Sequence, residues 1–232
     1  MSNSYFVTGT DTEVGKTVTA CALLAAAGGR GLDTAAVKPV AAGCDTDGRN
    51  EDAVALMAAM TADMPYDQVN PVALDAAIAP HIAAQEEGVS LSVATLASHC
   101  QGVIDSGAAE FVLVEGAGGW RVPLGPRETL ADLARELGLG VVLVVGMRLG
   151  CINHALLTAE AVARDGLVLA GWVANQPGER MSRHEENLAT LRALLPAPCL
   201  GELPYLPGAD PAELALRLDI APLLDIAPLI GG

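Results

Sequence analysis

Apolar residues in this chain fall in two alternating patterns. Short uninterrupted runs of Val, Leu, Ala and Phe are each followed by a longer stretch in which apolar and polar positions mix with helical spacing. Such alternation specifies a parallel sheet with helices on both faces. Strands are expected at Tyr5–Thr8, Thr34–Val37, Phe111–Val114, Val141–Val145, Val168–Val173 and Cys199–Gly201. Helices are expected to start near Gly15, Glu51, Ser92, Glu128, Cys151, Ser182 and Pro211. The central runs are continuously apolar, as strands covered on both faces should be. The fold class is therefore α/β, a three-layer, doubly wound, mostly parallel sheet. No linker divides it, so residues 1–232 are read as one domain. Two stretches break the pattern. The segment from Thr61 to Gly88 carries Pro65, Pro71 and Pro80 and reads as a long connection with room for one short helix. Near the end, Asp219-Ile-Ala-Pro-Leu-Leu is followed by Asp225-Ile-Ala-Pro-Leu-Ile. Two copies are too few for a solenoid, and 219–232 is expected to be a loosely docked terminal extension.

In sheets of this kind ligands bind beyond the carboxyl ends of the strands. Polar clusters fall there, after Val7, Val37, Val114, Val145 and Val173. The first is the most telling. Residues 9–17 read Gly-Thr-Asp-Thr-Glu-Val-Gly-Lys-Thr, between a strand and a helix. This is a phosphate-binding loop. The helix start offers free N–H groups and a positive dipole end. Gly15 removes a Cβ from the approach, Lys16 supplies charge for the outer phosphates, and Thr17 offers a hydroxyl to Mg²⁺. Thr10 stands where the usual pattern has its first glycine, with Gly9 one residue earlier.

Composition narrows the partners. The formal charge is −15, with 28 acids against 13 bases, and aromatics are 3%. An acidic surface repels phosphate backbones and few rings are available for base stacking, which argues against nucleic acid. The five cysteines, at 21, 44, 100, 151 and 199, have no zinc spacing and suit reduced thiols in a cytoplasm. The first ten residues lack the pattern of a signal peptide, and the most apolar run, Val141 to Val145, is too short to span a bilayer.

Other clusters carry less on their own. Glu115 closes a buried strand and precedes Gly116-Ala117-Gly118-Gly119, where an acid beside a phosphate loop is placed to hold a cation. Lys38 ends the second strand; it either faces the crevice or is a solvated strand-end lysine, and spacing does not separate the two. Asp52 sits at a helix start, where an acid also simply favours the dipole. Asn175 ends a strand, where an amide can pair with adenine or form a loop. Gly150-Cys151-Ile152-Asn153 opens a helix whose N–H groups suit an anion, or is an ordinary helix start.

Taken together, the motifs resemble the dethiobiotin synthetase family of P-loop enzymes. The matching segments are Tyr5–Thr17, Lys38-Pro-Val-Ala, Pro80-His-Ile, Val114-Glu-Gly-Ala-Gly-Gly-Trp, Leu149-Gly-Cys-Ile-Asn-His and Ala170-Gly-Trp-Val-Ala-Asn. The resemblance extends to about Leu206. It implies a P-loop NTPase-like fold and an ATP- and Mg²⁺-dependent cyclo-ligase. Such enzymes join CO₂ to 7,8-diaminopelargonic acid through a carbamate and a carbamic–phosphoric anhydride. It implies that Glu13, Val14, Gly15, Lys16, Thr17 and Val18 cradle the phosphates, with Gly116, Ala117 and Gly118 nearby. Thr17, Asp52 and Glu115 would hold Mg²⁺, and Lys16 and Lys38 would be catalytic. Asn175, Gln176 and Pro204-Tyr205-Leu206 would line the adenine pocket. Ala42 would lie near the substrate, whose carboxylate would meet Gly150, Cys151, Ile152 and Asn153 across a homodimer interface. Three positions depart from the family pattern: Ala42 stands for a hydroxyl residue, Asn187 for a tyrosine in some relatives, and Gln176 for an aspartate. The alternatives are a nucleotide-switch ATPase of the same superfamily or another ATP-dependent CO₂ or amide ligase. Many switch proteins carry a second lysine early in the loop, where this chain has Thr10.

Overall fold

The structure is a computed structural model that describes residues 3–224. The chain opens with strand β1 (Asn3–Gly9), the phosphate loop and helix α1 (Lys16–Gly28). Strands β2 (Thr34–Val37) and β3 (Val40–Ala42) follow, then α2 (Glu51–Ala59), α3 (Tyr66–Val69), β4 (Val72–Leu74), α4 (Pro80–Glu87) and α5 (Val93–Asp105). The second half alternates regularly: β5 (Phe111–Gly119), α6 (Leu130–Leu137), β6 (Gly140–Gly146), α7 (Cys151–Arg164), β7 (Leu169–Asn175), α8 (His184–Leu194) and β8 (Cys199–Leu203). Two short helices close the described chain, α9 (Pro211–Ala215) and α10 (Ala221–Leu224).

Six strands form one sheet in the order β2-β5-β1-β6-β7-β8, and every pairing in it is parallel. From β1 the chain winds one way to β2, whereas β5, β6, β7 and β8 progress the other way. Right-handed crossovers then put α1 on one face and α6, α7 and α8 on the other. The contacts agree: α1 packs on α2 and α9, α5 on α6, and α7 on α8. The winding reverses around β1, which leaves a crevice beyond its carboxyl end, between β5 and β6. The core between the layers includes Phe6, Phe111, Leu143 and Trp172, all fully buried. Each such side chain contributes about 1.5–3 kcal/mol by leaving water.

The segment from Thr61 to Gly88 is more ordered than its composition suggests. It holds α3, α4 and β4, and β4 pairs with β3 in a small parallel sheet of its own. Pro80 does not interrupt this segment; it starts α4, where a missing N–H is no loss and a fixed φ suits the helix. Helix α8 begins at His184, two residues beyond the expected start, after Arg183 adopts φ 58°.

The tail also departs from expectation. Ile220 and Leu223, in the first repeat copy, are fully buried. Asp219 N donates to Leu200 O at 2.7 Å, and the Tyr5 hydroxyl donates to Leu223 O. The first copy is thus part of the packed domain, because its two apolar positions three residues apart fall on one side. The second copy, from Asp225, lies outside the described residues.

Candidate active site

The phosphate loop leaves β1 and turns into α1 at Gly15, whose φ is 83°. A Cβ at Gly15 would lie 2.1 Å from Asn175 Nδ2, so both conformation and space demand glycine there. Thr10, in the place of the usual first glycine, ties the loop to β6: its N–H donates to Val144 O at 3.0 Å, and its hydroxyl accepts from Gly146 N at 3.3 Å. Lys16 folds back so that Nζ donates to Asp11 O at 3.1 Å. Its burial, and then the nearby Lys38 charge, bring its pKa down from 10.5 to about 8, against opposing pulls from Glu115, Asp52 and Asp11.

The facing wall centres on Lys38. Its ammonium donates to Asp52 Oδ2 at 2.8 Å and to Glu115 Oε1 at 2.5 Å, and only 3% of its side chain is exposed. Burial alone would lower the Lys38 pKa, but the two carboxylates outweigh it and hold the pKa above the ordinary value. Burial likewise pushes Asp52 upward, and Lys38, with help from Thr17 and Lys16, outweighs it, so Asp52 sits below the usual carboxylate range. The two buried lysines are therefore unlike. One is held firmly charged by acids, and the other has its pKa drawn down to about 8 by burial.

Thr17 joins the two walls by donating to Glu115 Oε1 at 2.9 Å. Glu115 is fully buried, and its second oxygen, Oε2, has no hydrogen-bond partner. Such an atom is costly to leave unsatisfied. A hard divalent cation would satisfy it. Among the described residues no cluster of three or more His, Cys, Asp or Glu converges. Two carboxylates and a hydroxyl nevertheless suit a cation that takes its remaining ligands from phosphates and water.

Lys16, Thr17, Lys38 and Asp52 line a cavity of about 680 Å³, together with Ala41, Ala42, Gly43 and the stretch Ala77–Pro80, and Glu115 lies buried behind its wall. A larger concavity of about 850 Å³ at the amino ends of the strands, around Asn3 and Gly140, has no cationic side chain on its walls, and a neighbouring one of about 780 Å³ has Arg127 and Arg135 but no phosphate loop. Chemistry rather than volume therefore selects the site.

The remaining candidates are distributed as follows. Glu13 and Val18 line the cavity and are exposed, whereas the Val14 side chain is fully buried, which leaves its backbone alone to face a ligand. Ala117 and Gly118 line the cavity, and Gly116 lies one residue back, against Phe6. The Asn175 amide is buried and donates to Val14 O at 2.8 Å. The buried Gln176 side chain donates to Glu179 O at 2.8 Å, and so turns to the main chain. After β8, Tyr205 and Leu206 are exposed. Gly150 caps α7 with φ 97°. Cys151 N donates to Arg148 O, which leaves Ile152 and Asn153 with the open first-turn N–H groups. Asn187 lies beside this helix start, with Oδ1 4.0 Å from Cys151 Sγ and Nδ2 donating to Arg183 O.

Sequence reasoning missed the residues that hold the Lys38 wall. Asn70 Nδ2 donates to Lys38 O at 2.7 Å, and Lys38 N donates to Val69 O. The Tyr66 hydroxyl donates to Asn70 Oδ1 and accepts from Asn50 N. Asn50 caps α2, accepting from Asp52 N and Ala53 N, and donates to Gly43 O. An asparagine just before a helix start is a capping signal, and it was available in Asn50-Glu51-Asp52.

Comparison with known proteins agrees with this architecture. A family model described as an AAA domain matches residues 3–213. A relative from Pseudomonas paraeruginosa, described as ATP-dependent dethiobiotin synthetase BioD, is 60% identical, covering 95% of this chain and 97% of its own. Proteins of the same description from Cellvibrio japonicus and Marinobacter nauticus are 58% and 51% identical, with 96% and 98% of this chain covered and 98% of each of theirs. Among solved structures, the septum site-determining protein MinD from Pyrococcus horikoshii, complexed with Mg-ADP, aligns with a TM-score of 0.55 at 16% identity, covering 92% of this chain and 93% of that one. A MinC:MinD complex from Aquifex aeolicus gives a TM-score of 0.54 at 13% identity over 88% of this chain and 82% of that one. These structural likenesses show a shared fold alone. Identity at this level over nearly the whole length shows that the chain belongs to the ATP-dependent dethiobiotin synthetase family.

Proposed function

We propose that this protein makes dethiobiotin from 7,8-diaminopelargonic acid, CO₂ and ATP, releasing ADP and phosphate. One amine adds to CO₂ and loses a proton, giving a carbamate. A carbamate oxygen attacks the γ-phosphorus and ADP leaves, which forms a carbamic–phosphoric anhydride. The second amine attacks the carbonyl carbon, phosphate leaves, and the cyclic urea closes with loss of a proton. The observation that carries this reading is the meeting of two buried lysines, Lys16 and Lys38, in one cavity with Thr17 and Asp52, backed by the buried Glu115 to which both Thr17 and Lys38 donate. A carbamate is a weak nucleophile, so positioning it in line with the phosphate supplies most of the rate. Lys38, held charged by its two acids, suits the carbamate and the transferring phosphoryl group. Lys16 suits the outer phosphates, whose charge would draw its proton back on.

Thr17, Asp52 and the unpartnered oxygen of Glu115 are the residues for Mg²⁺, which when bound neutralises phosphate oxygens and polarises the phosphorus. Asn175, Gln176 and the Pro204–Leu206 loop form the adenine end. Ala42 lies on the cavity wall near the substrate. The start of α7, Gly150–Asn153, receives the substrate carboxylate across a homodimer interface. Leu149 and Leu157, 93% and 56% exposed beside it, support an apolar contact there. Among the described residues no helix is long and apolar enough to cross a membrane, and all five cysteines are free, which suits a cytoplasmic enzyme.

The test is phosphate release from ATP with each component left out in turn. Release that requires both the diamine and CO₂ supports the ligase. Release that proceeds equally without them makes the protein a nucleotide-driven switch.

A further inference from the structure

We propose that Asn175 is a positioning residue for the phosphate loop, forming with Val14 a latch that holds the loop in its phosphate-binding shape before any nucleotide arrives. This goes beyond the reading above, in which Asn175 has only a base to meet.

Three observations converge. The Val14 side chain is fully buried in a socket between two glycines: a Cβ on Gly9 would come within 2.6 Å of Val14 Cγ2, and one on Gly146 within 2.7 Å of Val14 Cγ1. The Val14 carbonyl, on the same residue, accepts from Asn175 Nδ2 at 2.8 Å. On either side of Val14 the backbone is left-handed, with φ 57° at Glu13 and 83° at Gly15. A left-handed non-glycine residue persists only where its surroundings over-determine it. Val14, pinned by side chain and carbonyl at once, is such a constraint on Glu13.

Asn175 is itself fixed. Its carbonyl accepts from Met147 N at 2.8 Å, and its Cα pairs with Gly146 on one side and Leu203 on the other. The side chain thus projects from the carboxyl end of a strand paired on both sides onto the middle of the loop, whose first residues Thr10 ties to β6. The contact also settles which way the amide faces. A carbonyl partner requires the N–H₂ side. One N–H is engaged, so one N–H and Oδ1 remain. A donor and an acceptor are thus left over, so latching the loop and meeting a base are compatible in one amide.

The deciding experiment uses a ligand without a base. Binding of inorganic tripolyphosphate and of ATP, each with Mg²⁺, is measured by calorimetry on the parent, Asn175→Ala and Asn175→Leu, with melting curves alongside. The leucine variant keeps the volume and removes the donor. Loss of a buried hydrogen bond that leaves a carbonyl unpaired should weaken tripolyphosphate by roughly tenfold in both variants, with ATP weakened at least as much. Hydrogen exchange at residues 12–15 of the ligand-free protein should rise, with β1 unchanged. Tripolyphosphate affinity unchanged while ATP weakens would overturn the latch and leave a base contact alone; both affinities unchanged would overturn it too. Should neither Asn175 variant fold, Val14→Ala, which leaves the amide in place, should weaken tripolyphosphate, and unaltered affinity there refutes the proposal. None of these readings depends on the diamine or CO₂, so the ligase assignment stands or falls separately.

Discussion

The two walls of the crevice are built differently. The phosphate wall is one stretch of chain, Gly9–Thr17, between one strand and one helix. Its working groups are backbone N–H groups, a single lysine and the Thr17 hydroxyl. The Lys38 wall is assembled from residues far apart: Lys38 itself, Asp52 at the start of α2, Glu115 on β5, and behind them Asn50, Tyr66 and Asn70. A local wall leans on few distant props, here the Asn175–Val14 bond and the Thr10 bonds to β6. A distributed wall can be damaged from behind, by residues that never touch a substrate.

The sharpest way to break the comparison is at Lys38. The Lys38–Glu115 pair is buried on both sides, at 3% and 0% exposure. Removing one partner of such a pair costs about 3–5 kcal/mol. Lys38→Gln should therefore lower the melting temperature in metal-free buffer, recover part of it on adding Mg²⁺, and lose ring closure while still binding ATP. Pulse labelling with ¹⁴CO₂ then shows whether carbamate still forms. Unchanged product formation would make Lys38 a purely structural lysine.

Lys16→Ala should come next, with turnover down by roughly 10²–10³, the size of effect from removing one charge-stabilising donor. Its titration gives an independent check. Folding brings Lys16 from 10.5 to about 8, burial being the main cause. The free enzyme should therefore lose affinity for tripolyphosphate as pH rises through about 8, while a Lys16→Arg variant should show no such decline. For stability the sign is opposite. Between about pH 8 and 10.5 the unfolded chain binds the Lys16 proton and the folded one does not, so this group makes the ligand-free protein more stable as pH rises across that window.

Asn70→Ala probes the distributed wall from behind. It removes the bond to Lys38 O, which is worth about 0.5–1.5 kcal/mol net. Turnover should fall severalfold with ATP affinity unchanged; a matched fall in ATP affinity would show that the two walls are not separable. The smallest effect is expected at Asn187→Tyr, beside the start of α7. A restored hydroxyl donor should tighten diamine binding by a few-fold, roughly one hydrogen bond, and leave ATP binding alone. A variant that binds the diamine no better removes Asn187 from the substrate contacts.

How legible each wall was follows from the same difference. The phosphate loop could be read because its order of strand, glycine, lysine and helix is contiguous. Glu115 could be placed at the crevice because it ends an apolar run beside the loop, whereas spacing leaves Lys38 open between the crevice and a solvated strand end. Asp52 looked like an acid on a helix dipole, and it does occupy the first turn of α2, but its ion pair with Lys38 depends on where two loops meet. Strands β3 and β4 are three residues each and α3 is four. Elements that short do not complete a period, so no pattern announces them. The Asn175–Val14 bond spans a sequence separation of 161 and joins a side chain to a main-chain carbonyl, a contact that leaves no trace in residue spacing.

The position of β1 has a further consequence for the making of the protein. Its strand partners are β5 and β6, which begin at Phe111 and Gly140. During synthesis β1 and the loop behind it emerge long before either neighbour exists. Pairings of such long range are slow to form and leave an apolar segment open meanwhile. The motif that is easiest to read in the chain is thus expected to be among the last to acquire its shape, once β5 and β6 have left the ribosome.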